Sequence, residues 1–440
     1  MSISDKRHTI KLETLTPIHI GSGTFLQNNV EFVRSDQTLY IIDPQKLLTI
    51  IGTEKLDDWV KAIESGDDIT EFISDKNIEA HPREYSRREI KFDGNTQLYK
   101  QTTLKVCMHD ARDLAYIPGS SIKGAIRTAI FNAIVSKKYI NTVPINTKNK
   151  RFACQVLEKD LFGKSPNSSI FRFIQVGDAY FPAGCEVTLN EVNLNIRKKT
   201  EELLDKKKQQ LVEAIGKGYE ALFSIKILNE YNSFAYYESL ERDQKTESAK
   251  HHKTELRKLP NCITSIEGLF GIINTYTERL IKEEIEIWEK NMCEHNNDAT
   301  AKAYVDSLKK ILDEVRKCGK KQCILRLGQA SGWRFTTGAW TEGLSIFKST
   351  IVPMSRPGNE KYSEFDFPKS RRIGEGSDNI LGFVKLTIVD EESSYHTHRR
   401  PACTCIQHNS SAIARLYSVH ILRQHKATAQ QHKEHNNNRK

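Results

Sequence analysis

The run Tyr116-Ile117-Pro118-Gly119-Ser120-Ser121-Ile122-Lys123-Gly124-Ala125-Ile126-Arg127 constrains the fold more than any other stretch of the chain. Pro118-Gly119 ends an extended segment, the serines are capping residues, and Ile122, Ile126, Ile130 and Ile134 recur every four residues along one helix face. The pattern predicts a strand, a tight loop and an amphipathic helix in succession. Glycine lets a backbone approach a phosphate closely, and N–H groups at a helix start attract anions. Gly119, Ser120, Ser121, Lys123, Gly124 and Arg127 are therefore candidates for gripping a polynucleotide backbone, with Lys123 a point charge and Arg127 a fork one turn later. A capped helix with exposed basic residues accounts for the same string equally well.

At 440 residues the chain exceeds what one hydrophobic core usually serves. Residues 8–15 alternate apolar and polar side chains as a half-buried strand does, and run into Thr16-Pro17-Ile18-His19-Ile20-Gly21-Ser22-Gly23. A second strand is predicted at 39–42, a short helix from 45 to 51 and helical pattern from 56 to 72, while 81–101 reads as irregular. Two further units follow, one at 157–163 and a strand-like one at 174–180. From 195 to 320 the composition turns Lys/Glu-rich and helical, most clearly at 267–290 and 299–317, with Lys198-Lys199 and Lys206-Lys207-Lys208 read as solvated helix faces. A strand at 323–327 then delivers a second glycine loop, Gly328-Gln329-Ala330-Ser331-Gly332-Trp333-Arg334, and 381–388 is the closing strand. These divisions suggest domains at 1–194, 195–320 and 321–390, followed by a low-complexity basic tail, 391–440. That tail holds seven of the fourteen histidines and no sustained apolar face, so disorder is expected there.

The net charge of +10 suits a nucleic-acid partner, but residues 391–440 contribute half of it, with eight basic against three acidic side chains. Any grip in the body must come from local constellations. No window approaches the roughly 18 consecutive apolar residues of a membrane span, and the first fifteen residues contain no apolar signal core, so a cytoplasmic protein without a membrane partner is expected. Nine cysteines, an odd number, lack the paired spacing of a zinc site and read as reduced thiols; no metal or cofactor is called for. Gly163-Lys164-Ser165 imitates the end of a phosphate-binding P-loop, but the glycine required five residues earlier is Glu158.

The phrases at 15–23 and 116–127, and Leu161-Phe162-Gly163 ahead of Val176-Gly177-Asp178-Ala179, occur here in the order in which the RAMP superfamily of CRISPR proteins carries them, and the chain resembles that family over residues 8–390. The glycine loop at 328–333, Phe367-Pro368-Lys369 and the ending at 381–386 look most like its type III-A (Csm) members that cap the 3′ end of the guide RNA. The resemblance implies an α+β fold of two ferredoxin-like (RRM-like) domains with a helical insertion. It implies a non-catalytic subunit that binds the 3′ portion of crRNA and caps the filament, supporting crRNA maturation and antiviral defence. The implied partners are crRNA, target RNA, the other Csm subunits with the repeating backbone subunit foremost, and host nucleases that trim crRNA. The RNA-binding set it suggests is His19, Gly21, Ser22, Gly23, Gly119, Ser120, Ser121, Lys123, Gly124, Arg127, Gly328, Ser331, Gly332, Trp333 and Arg334.

Some RAMP proteins cleave RNA, and the competing expectation is a metal-independent endoribonuclease acting on repeat RNA through His19. The stretch 24–32, where a cleaving relative carries an aspartate, offers only Glu31, on an expected strand at 30–33. Asp178 reads as a turn cap or a contact to a neighbouring subunit. No RNP-type aromatic strand is present, so backbone gripping is favoured over base stacking.

Overall fold

A computed structural model describes residues 6–92, 96–138, 145–146, 153–163, 169–198, 201–227, 265–355, 365–376 and 380–389. They form two compact units, one comprising Met1–Phe25, Phe92–Thr96 and Leu104–Ser394, the other Leu26–Lys91 with Gln97–Thr103. The 391–440 tail and its expected disorder lie outside the described residues.

The larger unit is mixed α/β. Its five-stranded sheet has the order Gln322–Arg326, Phe383–Val389, Lys6–Thr14, Glu220–Ile227, Ile174–Val176, with every neighbouring pair antiparallel. Alternation in the first strand sets which face is buried: Ile10 and Leu12 are solvent-free, opposite Phe223 and Ala221 on one side and Ile388 and Leu386 on the other. The helix Gly119–Lys138 lies in the crossover from Lys6–Thr14 to Ile174–Val176, and Ile266–Glu294 and Ala299–Lys317 lie between Glu220–Ile227 and Gln322–Arg326. The expected four-residue stripe faces inward, with Ile122, Ile126 and Ile130 buried and Ile134 packed against the same core. Asn274 and Thr277 tie the long helix to the sheet through the Gln322 carbonyl, the Ile324 amide and the Ile324 carbonyl.

A second set of strands joins Thr103–Cys107, parallel, to Leu204–Ile215, which runs antiparallel to Glu186–Asn195, itself antiparallel to Ser370–Gly374. Leu204–Ile215, and Glu220–Ile227 of the five-stranded sheet, correct the expected helical region. Residues 204–227 form strands, and helix begins only at Ile266 among the described residues. Lys206, Lys207 and Lys208 are exposed, but on a strand. Ladder pairing with Glu186–Asn195 overrides the helix propensity of Lys, Glu and Gln, while Ala221, Phe223, Ile225 and Ile227 show the period-two burial of a strand.

The smaller unit is an antiparallel meander, Phe32–Ser35, Thr38–Ile42 and Ser86–Phe92, with three α-helices among the described residues. Asp43 accepts the Gln45 and Lys46 amides at the start of Pro44–Ile51. The pattern at 56–72 resolves into Leu56–Ser65 and Ile69–Asp75, because Gly66 takes the left-handed conformation that ends a helix. Trp59, Tyr85, Leu47 and Ile51 fill its core. The stretch read as irregular contains the strand Ser86–Phe92.

Gly119 seats its helix against the sheet. A Cβ there would overlap the Val176 carbonyl oxygen and lie 2.7 Å from that of Gly177. Gly124 is exposed with nothing within 4 Å of a Cβ position. Gly119→Ala is expected to cost about 1–3 kcal/mol, and Gly124→Ala to gain roughly 0.5–1 kcal/mol. Urea unfolding of the two variants reads the opposite signs.

Candidate nucleic-acid interface

The segment Thr16–Gly21 belongs to no ladder at its centre, so its polar backbone groups need partners from elsewhere. The Pro17 carbonyl accepts the Gly382 amide at 2.8 Å, Ile18 exchanges both bonds with Ile215 at 2.9 Å, the His19 carbonyl accepts the Gln329 amide at 3.0 Å, and the Ile20 carbonyl accepts the Met108 amide at 2.8 Å. The phrase ending in Gly21-Ser22-Gly23 and the glycine loop at 328–334 are thereby brought together. Gly328 has φ +72°, and a Cβ on it would overlap the His19 carbonyl oxygen, so its glycine is required by this close approach.

His19 itself faces inward, 1% exposed, with Nδ1–H donating to the Glu213 carbonyl at 2.6 Å. Burial lowers its pKa to about 4 against the opposing effect of that hydrogen bond, and Lys105 adds to the lowering. It is a neutral, inaccessible imidazole at pH 7. Around it lies a buried polar cluster that the sequence did not disclose: Cys107 donates its amide to the Glu213 carboxylate at 3.0 Å, and His109 Nε2 sits 3.4 Å from Glu186 and 3.5 Å from Glu213. These residues are far apart in sequence, and only strand pairing assembles them. Gly21, Ser22 and Gly23 are exposed. Ser22 donates to the Val106 carbonyl at 3.1 Å and accepts the Thr24 amide at 3.2 Å, and Gly23, at φ +86°, has open space around it.

At the second phrase, Asp178 accepts the Gly119 amide at 2.7 Å, and the Ser121 and Ile122 amides turn back to the Pro118 carbonyl. The helix N-terminus is thus largely satisfied by protein. Arg127 pairs with Glu158 at 3.0 Å and lies over the Phe162 ring, 5.0 Å from its centroid. Lys123 differs. It is half-buried in the first turn, burial lowers its pKa, and neither it nor Ser120 or Ser121 has a side-chain partner among the described residues.

The loop at 328–334 does not present a basic fork. Arg334 is 3% exposed and donates to Glu342, to Glu283 at 3.0 Å and to Glu284 at 3.3 Å. Burial pushes the Glu284 carboxyl up, and the Arg371 and Arg334 guanidiniums outweigh it, bringing it down to about 2. Arg334 is therefore a core cation, contrary to its expected role. Ser331 donates back to the Gly328 carbonyl at 2.8 Å, Trp333 packs edge-on to Phe367 at 5.0 Å and beside Phe347 at 5.9 Å, and Gly332 is exposed at φ +70° where a helical segment begins. Glu31 lies in a turn just before Phe32–Ser35, not on a strand, and its carboxylate accepts the Gln27 amide at 2.9 Å.

Residues 11–335 match the family model described as the RAMP superfamily. A protein of Methanocaldococcus jannaschii described as "CRISPR system Cms protein Csm5" is 28% identical over 204 residues, 43% of this chain and 47% of that one. The match thus spans about half the length of that curated relative. A chain of the cryo-EM structure of a type III-A Csm–crRNA–target RNA ternary complex superposes with TM-score 0.61 at 18% identity, covering 87% of this chain and all of that one. The crystal structure of T. onnurineus Csm5 gives 0.56 at 18% identity, with 85% and 99% covered. At these identities the two structures establish a shared fold.

His19 carries a pH signature. Its folded pKa of about 4 lies below the ordinary 6.5, so the unfolded chain binds the extra proton. The contribution is fully present above pH 6.5 and is lost as pH falls towards 4, amounting to about 3 kcal/mol. His19→Asn, which keeps a donor towards Glu213, should flatten the stability profile between pH 6.5 and 4 relative to wild type. Denaturant unfolding of both proteins at several pH values checks this. Arg334→Ala, by stripping a cation from buried Glu284, should cost about 3–5 kcal/mol in the same assay.

Proposed function

Because this chain belongs to the RAMP superfamily, we propose that it is a non-catalytic subunit of a type III-A, Csm-like CRISPR ribonucleoprotein that holds crRNA by its backbone. In this reading it binds the 3′ portion of the guide, ends the filament of backbone subunits, and supports crRNA maturation and antiviral defence, with target RNA passing nearby and trimming nucleases as transient partners. The likeness to Csm5 in sequence and fold supports the assignment. The five-stranded sheet with its two helical crossovers is read as one ferredoxin-like domain carrying an added edge strand, since the order Phe383–Val389, Lys6–Thr14, Glu220–Ile227, Ile174–Val176 follows that topology. A second ferredoxin-like domain is assigned to the remaining strands of the larger unit.

The observation that carries the RNA-binding reading is Lys123: a half-buried ammonium without a counter-ion among the described residues, flanked by the unengaged hydroxyls of Ser120 and Ser121. A desolvated cation is costly unless an anion meets it, and a phosphate does so without any sequence being read. The exposed Gly21-Ser22-Gly23 backbone and the exposed Gly332 complete the proposed grip; Gly124 leaves the helix surface clear, and Gly119 and Gly328 serve by seating the loops. Arg127, His19, Ser331, Trp333 and Arg334 act as support. The rival endoribonuclease reading is disfavoured by the burial of His19, which keeps its imidazole from a 2′-hydroxyl.

Lys123→Ala should weaken binding of single-stranded RNA and lower the slope of log K against log salt by about 0.7, one phosphate contact's worth. Arg127→Ala should lower the melting temperature and leave that slope in place. Fluorescence anisotropy over a salt series measures both, and an unaltered slope in folded Lys123→Ala removes the assignment.

A further inference from the structure

Tyr116–Ile117 pairs antiparallel with Ala179–Tyr180, Tyr116 opposite Tyr180 and Ile117 opposite Ala179. Successive side chains of a strand point to opposite faces. Ile117 and Ala179 are solvent-free in the core, so both tyrosines lie on the other face. Their rings stack, centroids 5.3 Å apart and planes at 19°, with Tyr116 half-buried and Tyr180 44% exposed. A cross-strand aromatic pair gains its modest stabilisation from the two rings facing each other. It does not require the outer ring to stand open to solvent.

We propose that Tyr180, backed by Tyr116, is a stacking platform for a nucleobase of bound single-stranded RNA. The inference rests on the RNA-binding reading above and adds a base contact to what is otherwise a backbone grip. The surroundings select a base over other occupants. Asp178 joins the platform to the helix start, its Oδ2 3.5 Å from Tyr180 Oη and its Oδ1 accepting the Gly119 amide. Asp110 is occupied within its own turn, Oδ2 accepting from the Arg112 guanidinium at 2.7 Å and Oδ1 from the Arg112 and Leu114 amides at 2.8 and 3.1 Å. The Asp178 carboxylate repels a phosphate from the ring itself, but its Oδ2 can accept an N–H group from a base edge. The phosphate is instead met by Lys123, in the first turn of the helix that Asp178 caps. A nucleotide with its base on Tyr180 and its phosphate at Lys123 satisfies both, and stacking tolerates any base because every base has a π face.

The test uses the full chain as wild type, Tyr180→Ala, Tyr180→Leu and Tyr180→Phe, with a labelled oligo(A) RNA and an abasic oligomer of the same length, by anisotropy over a salt series. Tyr180→Ala and Tyr180→Leu should each weaken oligo(A) binding about tenfold, with the salt slope unchanged and the abasic oligomer unaffected, while Tyr180→Phe binds like wild type. Leucine retains apolar cover on the ribbon, so a loss in both variants is a loss of stacking and not of folding. Wild-type affinity for oligo(A) in both variants, or an equal loss on the abasic oligomer, overturns the platform and leaves the backbone grip standing. Failure of the wild type to bind either oligomer overturns the RNA-binding reading and the platform with it.

Discussion

The larger unit depends on how the backbone of Thr16–Gly21 is satisfied. A segment crossing a protein interior without regular pairing must find a partner for each amide and carbonyl or lose about 1–3 kcal/mol per orphan. Here the partners come from four separate stretches, around Met108, Ile215, Gln329 and Gly382–Phe383. Each bond fixes a different element against the same short run, so the loop after the first strand sets the positions of the 328–334 glycine loop and of the strands Leu204–Ile215 and Phe383–Val389. Gly328 and Gly382 follow from this. A Cβ on Gly382 would overlap the Leu327 carbonyl oxygen just as one on Gly328 would overlap that of His19. Glycine at 328 and 382 is explained by packing before any ligand is invoked.

The second organising feature is a buried ionic cluster. Glu284 on the long helix accepts from Arg371 at 2.8 Å, Tyr304 at 2.9 Å and Trp288 at 3.1 Å as well as from Arg334, so one carboxylate joins two helices, the helical end of the second glycine loop and the strand Ser370–Gly374. Two guanidiniums and two neutral donors fill its lone pairs, the condition under which a charge can stay in a core. The cost of desolvating these groups is offset only when all four elements are in place, which makes the cluster a determinant of unique packing more than of net stability.

These two features explain what the sequence could and could not disclose. Local periodicity was legible: the strand at 8–15, the isoleucine stripe from Ile122 and the helix at 299–317 all stand where alternation or four-residue spacing put them. Leu204–Ile215 was misread because Lys, Glu and Gln are good helix formers and the ladder that holds them extended is made with residues before 195. Arg334 was misread because a cation in a glycine loop looks exposed, whereas two of its neutralising carboxylates, Glu283 and Glu284, lie about fifty residues upstream. His19 was hidden for the same reason, its hydrogen-bond partner being Glu213. The Asp178 cap on Gly119 and the Tyr116–Tyr180 pair join positions some sixty residues apart, and no local spacing signals either.

What remains for a nucleic acid is decided by subtraction. Much of the chain's positive charge is committed: Lys11 to Glu220, Arg127 to Glu158, Lys309 to Glu289, Lys317 to Glu314, Arg334 and Arg371 to Glu284. Surface pairs of this kind contribute little stability, yet each also cancels a charge that could otherwise steer a polyanion. The excess of basic residues is therefore a poor guide to where RNA would lie. A half-buried ammonium with no partner among the described residues is a better one, because its desolvation has been incurred in the fold and is offset only when an anion arrives. On that criterion Lys123, in the first turn of the helix that Gly119 seats, outweighs the exposed Lys207 and Lys208, whose ammoniums lose little by remaining in water.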